Sequence, residues 1–332
     1  MRAVALLASA AAIGTTLGAA LASQPQTRPD DDDDNPLPLI IWHGLGDSAS
    51  SDGLAEVAEL AAAAAPGIFV HTINPTDDGT GDDRSASLLG NVTEQVQTVC
   101  DQLARHPILS TAPAVDAIGF SQGGQFLRGY VERCNRPPVR NLITFGSQHA
   151  GITRFRDCAP SDLLCRAAMG LLRFNVWGSF VQGRVVPAQY YRPAADGDEY
   201  ASYLAHSNYL ADINNERAGK NPRYRDNLAR LDNFVMYLFG NDTVSIPKES
   251  SWFGEVDADG RRVALRDRAM YKEDWLGLRA LDDKGRLKFR TVRGDHMQIP
   301  VEVLNDTMRE FLGPFRSKVL SVEVEDLGTE EL

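Results

Sequence analysis

The sequence lacks several patterns that would assign it to common functional classes. None of its four cysteines forms a Cys-x-x-Cys pair, so we expect no zinc or other metal site. It has no basic stretch interleaved with aromatic residues and a formal net charge of −11, so we expect no nucleic acid partner. Beyond the N-terminus, no run is long and apolar enough to predict a transmembrane segment. Internal repeats and low-complexity domains are also missing, which favours one globular domain.

The N-terminus, in contrast, carries a pattern typical of exported proteins. Arg2 precedes an alanine-rich apolar run from Ala3 to about Leu21. Ala20-Leu-Ala22 then places small residues at the positions that a signal peptidase reads. We therefore predict a signal peptide at residues 1–22, a flexible acidic segment at residues 23–36, and a protein of the secretory pathway.

The cysteines and the glycosylation sequons agree with export. An even number of cysteines predicts two disulfides in an oxidising compartment. Cys158 and Cys165 enclose a short loop and form the local pair by spacing, which leaves Cys100 with Cys134. The candidate N-glycosylation sites are Asn91, Asn241 and Asn305.

Strand patterns alternate with helix patterns along the first half of the chain. Such alternation predicts an α/β fold with a mostly parallel central sheet flanked by helices. From about Gly151 to Arg230 the pattern is mainly helical, and strands then return in "FVMYLFGND" and "LKFRTVRGDH". We predict one domain at residues 37–315 with a helical cap at about 151–230, and a tail at residues 316–332.

The strongest chemical signal is a Gly-x-Ser-x-Gly pattern, Gly119-Phe-Ser121-Gln-Gly123, between a predicted strand and a predicted helix. A nucleophile elbow requires this sharp strand-to-helix turn, and the glycines let backbones pass closely. The alternative is a glycine-rich turn with a capping serine. We predict that Ser121 is a nucleophile.

The base should follow the nucleophile in the order Ser, acid, His. His149, His206 and His296 satisfy that order. His296 follows the strand "LKFRTV" directly and is the predicted base. His206 lies inside a helical pattern in the cap, and His149 precedes any credible acid and is a candidate for a pocket wall.

The acid should lie between Ser121 and His296 at the end of a strand. Asp242 directly follows the apolar run "FVMYLFGN" and is the predicted acid. Asp295 is adjacent to the histidine and is therefore poorly placed to bind its Nδ1.

Two backbone amides should stabilise the developing negative oxygen of the reacting carbonyl. The first is that of Gln122, the residue after the nucleophile. The second belongs to the loop after the first strand, "WHGLGDS", where we predict Leu45. The alternative for this loop is a simple strand-ending turn.

These motifs together resemble the palmitoyl-protein thioesterase family, the lysosomal depalmitoylating enzymes. The resemblance runs from about Pro36 to Leu312 and is carried by "LIIWHGLGDS", "AIGFSQGGQFLRGYVERCN", "GSQHAGI", "YLADINNER", "FVMYLFGNDTVSIPKESSWFG" and "RTVRGDHMQIP". It implies an α/β-hydrolase fold that needs no metal or organic cofactor, and a lysosomal or vacuolar location if the protein is not secreted.

The resemblance also implies roles for individual residues. By position, the nucleophile falls on Ser121, the acid on Asp242 and the base on His296, with oxyanion amides at Leu45 and Gln122. The implied disulfides are again Cys100–Cys134 and Cys158–Cys165. One departure is that family members have adjacent cysteines after "GLGDS", where this chain has Ala49 and Ser50. The rigidity of that loop is therefore an open question.

The implied substrates are S-acylated proteins or peptides and long-chain fatty acyl thioesters. Apolar cap residues are the candidates for an acyl site, although at least half of them should simply pack the cap on the sheet. These are Leu171, Leu172, Phe174, Val176, Trp177, Phe180 and Val181. Two alternatives use the same residues: a secreted lipase or carboxylesterase with the same triad, or a non-catalytic acyl-lipid-binding protein.

Overall fold

A parallel sheet forms the centre of the structure, a computed structural model that describes residues 35–76, 79, 81–155, 166, 170, 175–195 and 197–315. Within these residues the sheet has six strands in the order β2-β1-β3-β4-β5-β8, and each neighbouring pair is parallel. The strands are β1 (Leu39–Trp42), β2 (Val70–Thr72), β3 (Val115–Phe120), β4 (Val139–Phe145), β5 (Asn233–Phe239) and β8 (Leu287–Val292). A separate antiparallel hairpin joins β6 (Glu255–Val256) to β7 (Arg262–Val263).

Helices cover both faces of this sheet, as the alternating pattern predicted. Because successive strand side chains point to opposite faces, Ile40 and Trp42 enter one apolar core while Leu39 and Ile41 enter the other. The second core is completed by α1 (Asp52–Ala64) and α11 (Val301–Phe311). The first is completed chiefly by α3 (Val92–Arg105) and α4 (Gln122–Arg133). The predicted α/β-hydrolase class is confirmed.

The remaining helices are short and lie mostly in the long connections. A six-residue helix that the sequence did not predict, α2 (Asp83–Leu88), precedes α3. Between β4 and β5 lie α5 (Ser179–Arg184), α6 (Tyr200–His206), α7 (Leu210–Ile213) and α8 (Pro222–Leu228). After β5 come α9 (Ala269–Lys272) and α10 (Leu278–Asp283), and 3₁₀ turns occur at Leu109–Thr111, Val186–Tyr190, Lys248–Trp252 and Leu265–Asp267.

The connection between β4 and β5 packs in two parts. Val181 of α5 forms a small apolar cluster with Val185 and Ala188. The later helices α7 and α8 instead contribute Leu210 and Leu228 to the main core beside α4. The predicted boundaries of a helical cap at 151–230 stay a prediction.

Buried ion pairs join this connection to the segment after β5. Arg192 and Arg268 both contact Glu216, at 3.0 and 3.1 Å. Both arginines also contact Glu255 of β6, at 2.6 and 3.0 Å. Each buried charge therefore has partners of opposite sign, which is the condition for tolerating charges out of water.

A disulfide joins Cys100 of α3 to Cys134 at the end of α4, with Cα atoms 6.0 Å apart. Cys158 and Cys165 lie outside the described residues, as do the predicted signal peptide, most of the acidic segment and the tail. No helix in the described ranges has the length and apolarity needed to cross a membrane.

Candidate active site

The turn between β3 and α4 places Ser121 in a strained backbone conformation. Its φ of 51° and ψ of −125° are unusual for a residue with a side chain. Although Ser121 occupies the N-cap position of α4, its side chain makes no capping hydrogen bond to the described backbone. The alternative interpretation of a capping serine is therefore wrong.

The two glycines of the motif are required by close backbone packing. A Cβ atom on Gly119 would lie 2.3 Å from Cα of Gly124. A Cβ atom on Gly123 would lie 2.3 Å from the carbonyl oxygen of Trp42 at the end of β1. Only glycine at both positions lets α4 leave the sheet so sharply, which places the serine hydroxyl at the carboxyl edge of the sheet.

The loop after β8 brings His296 to the serine. Its Nε2 lies 2.9 Å from Oγ of Ser121, although the two residues are 175 positions apart in the sequence. Its ring also packs edge-on against Phe239 at the end of β5, with centroids 5.9 Å apart. Since the strands are parallel, the residues that follow β3, β5 and β8 meet at one edge of the sheet.

The turn after β5 brings Asp242 to the other ring nitrogen. Its Oδ2 lies 2.8 Å from Nδ1 of His296, and its side chain is fully buried. Its Oδ1 accepts hydrogen bonds of 2.8 Å from the backbone N–H groups of Val244 and Ser245. A carboxylate can only accept, so Nδ1 of His296 must donate its proton and Nε2 is left to accept from the serine hydroxyl.

Asp295 is the sequence neighbour of His296, and its carboxylate bonds to backbone N–H groups. Its Oδ1 accepts from the backbone N–H of His296 at 2.7 Å and from that of Thr243 at 2.9 Å. It therefore joins the loop that carries His296 to the loop that carries Asp242. Sequence analysis excluded it as the acid but did not find this connecting role.

The two predicted oxyanion amides belong to backbone next to Ser121. A Cβ atom on Gly44 would lie 3.3 Å from Cβ of Ser121, so the loop after β1 passes directly beside the nucleophile. The N–H of Leu45 makes no hydrogen bond within the described chain. Gln122 is the first residue of α4, where an N–H has no intrahelical partner. Their role as oxyanion donors stays a prediction.

Helix α2, which sequence analysis missed, holds the loop that carries Leu45. Oγ of Ser87 accepts from the N–H of Gly46 at 2.8 Å, and Oδ2 of Asp83 accepts from that of Ala49 at 2.7 Å. These bonds tether the loop at Gly46 and Ala49. No local pattern in the polar stretch around residue 83 indicates such contacts.

The acyl-site candidates lie in different environments. Val181 is buried in its own cluster, and Trp177 packs against Tyr191 and Tyr203. Val176 is half-buried, whereas the side chain of Phe180 is 64% exposed. The other three candidates, Leu171, Leu172 and Phe174, lie outside the described residues.

Two further exposed apolar side chains lie in segments near Phe180 and Ser121. Leu89 is 40% exposed and follows α2, where it forms a β-bridge with Val185 at the end of α5. Leu45 is also 40% exposed. Sequence analysis did not single out either side chain as a possible acyl contact, because an isolated leucine in a loop carries no such signal.

The other two histidines considered for the base lie away from this arrangement. His149 is fully buried, with its ring stacked on that of Phe253 at 4.9 Å and its Nε2 3.1 Å from Oγ1 of Thr144. Burial lowers the pKa of His149 well below its ordinary value, and the charge of Arg128 lowers it further. It is a core residue, so its prediction as a pocket wall is wrong. His206 is the exposed last residue of α6.

The three sequons differ in exposure. Asn241 is exposed beside the buried Asp242. Asn91 caps α3 by accepting from the N–H groups of Thr93 and Glu94. Asn305 is half-buried within α11. Glycosylation of any of the three stays a prediction.

Comparisons with known proteins agree on one family. The family model described as palmitoyl protein thioesterase matches residues 38–296, a range that contains the serine, the aspartate and the histidine described above. The chain is 37% identical over 280 residues to palmitoyl-protein thioesterase 1 of Caenorhabditis elegans, covering 83% of this chain and 91% of that protein.

Two further relatives extend the comparison. Palmitoyl-protein thioesterase 3 of Dictyostelium discoideum is 30% identical over 269 residues, covering 80% of this chain and 86% of that protein. The human lysosomal thioesterase PPT2 is 27% identical over 256 residues, covering 75% of this chain and 78% of that protein.

Proposed function

The chain belongs to the palmitoyl protein thioesterase family, and we propose that it removes long-chain fatty acyl groups from cysteine side chains of proteins or peptides. In this proposal the reaction is a serine hydrolysis through an acyl-enzyme. The observation that carries the proposal is the continuous hydrogen-bonded series from Ser121 through His296 to Asp242, with steps of 2.9 and 2.8 Å.

Acylation begins at the serine hydroxyl. Nε2 of His296 takes the proton while Oγ of Ser121 attacks the thioester carbonyl carbon. The buried carboxylate of Asp242 accepts from Nδ1–H, which maintains the required tautomer and stabilises the imidazolium that forms. The three residues thus act as nucleophile, base and acid.

The tetrahedral intermediate carries its negative charge on the former carbonyl oxygen. The amides of Leu45 and Gln122 donate to that oxygen and lower the barrier most when they are already oriented. Collapse of the intermediate breaks the carbon–sulfur bond and releases the cysteine thiolate. With a thiol pKa of about 8.5, the thiolate departs with little need for protonation.

Deacylation repeats the same chemistry with water as the nucleophile. His296 first gives the proton taken from Ser121 to the departed thiolate or to solvent, which restores the neutral imidazole. It then takes a proton from water as the water oxygen attacks the acyl-enzyme carbonyl, and it returns that proton to Oγ of Ser121 when the carbon–oxygen bond breaks. The products are the free fatty acid and the restored enzyme. No metal or organic cofactor takes part in this scheme.

The acyl chain requires an apolar surface near the serine. Each methylene of the acyl chain that is removed from water contributes about 0.8 kcal/mol to the binding free energy. Even partial burial of a long acyl chain therefore decides substrate preference. Among the candidates, Phe180 is supported by its exposure, and the exposed Leu89 and Leu45 extend the apolar surface towards the nucleophile. Val181 instead packs inside the small α5 cluster.

We also propose that the protein acts in the secretory pathway, as a lysosomal, vacuolar or secreted enzyme. The signal-peptide pattern at residues 1–22 and the Cys100–Cys134 disulfide support export. The name of the human relative, a lysosomal thioesterase, favours an acidic compartment.

The proposal is tested by comparing a palmitoylated cysteine peptide with the matched serine oxygen ester, for the wild-type enzyme and for Ser121→Ala. We expect the wild type to hydrolyse the thioester and Ser121→Ala to lose at least about 10⁴-fold in kcat. A large preference for the oxygen ester would favour a lipase or carboxylesterase. Failure of a fluorophosphonate to label Ser121 in folded protein would favour the non-catalytic acyl-lipid-binding alternative.

A further inference from the structure

Helix α2 contacts the backbone of Gly46, the residue that follows one predicted oxyanion donor, and the side chain of Gln122, the other. We propose that Ser87 and Asp83 of this helix are positioning residues that fix the oxyanion hole, an inference that rests on the proposed function. Neither residue contacts Ser121, His296 or the reacting atoms. Both act through the loop after β1 and through the start of α4.

The hydroxyl of Ser87 holds the residue that follows Leu45. Ser87 is only 2% exposed, and its Oγ donates to the carbonyl of Arg84 at 2.6 Å. Because its one proton is used there, the oxygen lone pairs are free to accept from the N–H of Gly46 at 2.8 Å. Gly46 has a φ of +76°, a conformation that favours glycine and turns the loop at this point.

The backbone carbonyl of Ser87 holds the second donor residue. It accepts from Nε2 of Gln122 at 3.0 Å. The amide oxygen of Gln122 in turn accepts from the hydroxyl of Tyr190 at 3.2 Å, so its side chain is fixed at both ends. Ser87 is therefore bonded on one side to the loop of Leu45 and on the other to Gln122, whose backbone amides are the two predicted donors.

Asp83 is hydrogen-bonded to one end of the same loop and lies beside the other. It is 6% exposed, and its Oδ2 accepts from the N–H of Ala49 at 2.7 Å. The same oxygen lies 3.3 Å from Nε2 of His43. Since His43 precedes Leu45 and Ala49 follows it, this carboxylate oxygen lies beside both sides of the loop that presents the Leu45 amide and is hydrogen-bonded to the later side.

Leu45 has little packing of its own to hold its amide in place. Its side chain is 40% exposed, so the apolar core does not fix it. An oxyanion donor must lie within a few tenths of an ångström of the developing charge to be effective, and a loosened donor loses its advantage in the transition state while ground-state binding is retained. The bonds to α2 supply the missing restraint.

Ser87→Ala removes the acceptor for Gly46 and leaves the substrate contacts intact. We expect kcat for a palmitoyl-cysteine peptide to fall about tenfold with KM unchanged, less than the ~10²–10³-fold loss on removing an oxyanion donor itself. A palmitoyl trifluoromethyl ketone, which forms a tetrahedral adduct with serine, should bind about tenfold more weakly, while inhibition by palmitate should not change.

Ser85→Ala is the matched control, because it makes the same chemical change on the same helix. Among the residues that the structure describes, Oγ of Ser85 bonds only within the helix start, to Asp82 at 2.6 Å. We expect its kcat and its ketone affinity to stay within about twofold of wild type. Melting temperatures of both variants separate a loss of folded protein from a loss of turnover.

The inference is overturned if folded Ser87→Ala keeps its kcat and its ketone affinity, or if Ser85→Ala loses both equally. If Ser87→Ala does not fold, Ser87→Cys keeps the side-chain size and replaces the oxygen with a weak sulfur acceptor, and the same loss is required of it. If wild-type protein itself releases no more palmitate than Ser121→Ala, the proposed function fails instead.

Discussion

Replacing Asp242 with asparagine should disable the base without removing any atom from the site. Oδ1 of Asp242 already accepts from two backbone N–H groups, those of Val244 and Ser245, at 2.8 Å each. In Asp242→Asn the amide oxygen must stay on these donors, so the amide NH₂ turns towards Nδ1 of His296. The imidazole must then accept at Nδ1 and carry its proton on Nε2, facing Ser121.

The size of the effect follows from this tautomer reversal. A histidine with a proton on Nε2 cannot accept the proton of Ser121, and the negative charge that stabilises the imidazolium is also lost. The equivalent exchange in a serine protease lowers kcat by about 10⁴-fold, which corresponds to about 5.5 kcal/mol of transition-state stabilisation. We expect a comparable fall here with little change in KM, since the carboxylate is buried away from substrate.

Asp295→Asn provides the matched control, because it makes the same exchange one residue from His296. An asparagine oxygen at 295 can still accept from the N–H groups of His296 and Thr243. We expect kcat to fall by less than about tenfold. Release of free thiol from a palmitoylated cysteine peptide measures both variants. A fall of less than tenfold in Asp242→Asn, or an equal fall in Asp295→Asn, would refute the assigned role of Asp242.

Four other changes have defined outcomes. Gly123→Ala should lower the free energy of unfolding by about 3 kcal/mol and abolish turnover, because its Cβ would lie 2.3 Å from a backbone oxygen of β1; unchanged chemical denaturation would contradict this. Replacing Cys100 and Cys134 together with serine should lower the free energy of unfolding, measured in urea, by about 3–4 kcal/mol, because the disulfide closes a loop of 34 residues. A decrease below about 1 kcal/mol would contradict this stabilising role of the disulfide. Burial raises the pKa of Glu132 to about 8 from an ordinary 4.5, so the folded state keeps a proton that the unfolded chain releases. The charge of Arg128 opposes this shift without cancelling it. Stability should therefore fall as the pH rises from about 4.5 to 8, and Glu132→Gln should flatten that slope. Phe180→Ser should lower kcat/KM about tenfold for a palmitoyl thioester and leave a butyryl thioester unaffected; equal losses on both substrates would remove Phe180 from the acyl site.

The sheet could be predicted from the sequence because its central strands, β1, β3, β4 and β5, are buried on both faces. Continuous apolar runs such as that of β5, bounded by turn residues, leave few alternatives. The apolar residues of α3 recur at helical spacing, so this helix also has a clear signal in the sequence. Helix α2 and the β6–β7 hairpin were missed because they are short and polar, and their conformation depends on contacts with distant segments.

The candidate catalytic residues could be located from the sequence for a related reason. The positions of Ser121, Asp242 and His296 follow from strand ends, and parallel strands place those ends at one edge. The position of His149 could not be derived this way. Its ring stacks on that of Phe253, which lies about a hundred residues later in the chain, and no local sequence pattern indicates that partner.

The residues that support the site carried the weakest signal. Asp295 joins two catalytic loops and Ser87 bonds to both predicted oxyanion segments, yet each is a polar residue in a polar stretch. Apart from His296, the neighbour of Asp295, these partners lie between 35 and 52 positions away in the sequence. Such contacts become visible only when the fold has placed the loops side by side.

The most direct measurement is to trap the acyl-enzyme. Folded protein is mixed with excess palmitoyl-cysteine peptide, quenched in acid at early times and digested for mass spectrometry. Our account predicts a palmitoyl group on Ser121 that accumulates when deacylation is slower than acylation, and none on the Ser121→Ala protein. Palmitate release from Ser121→Ala at the wild-type rate, or an adduct on a different residue, would contradict it.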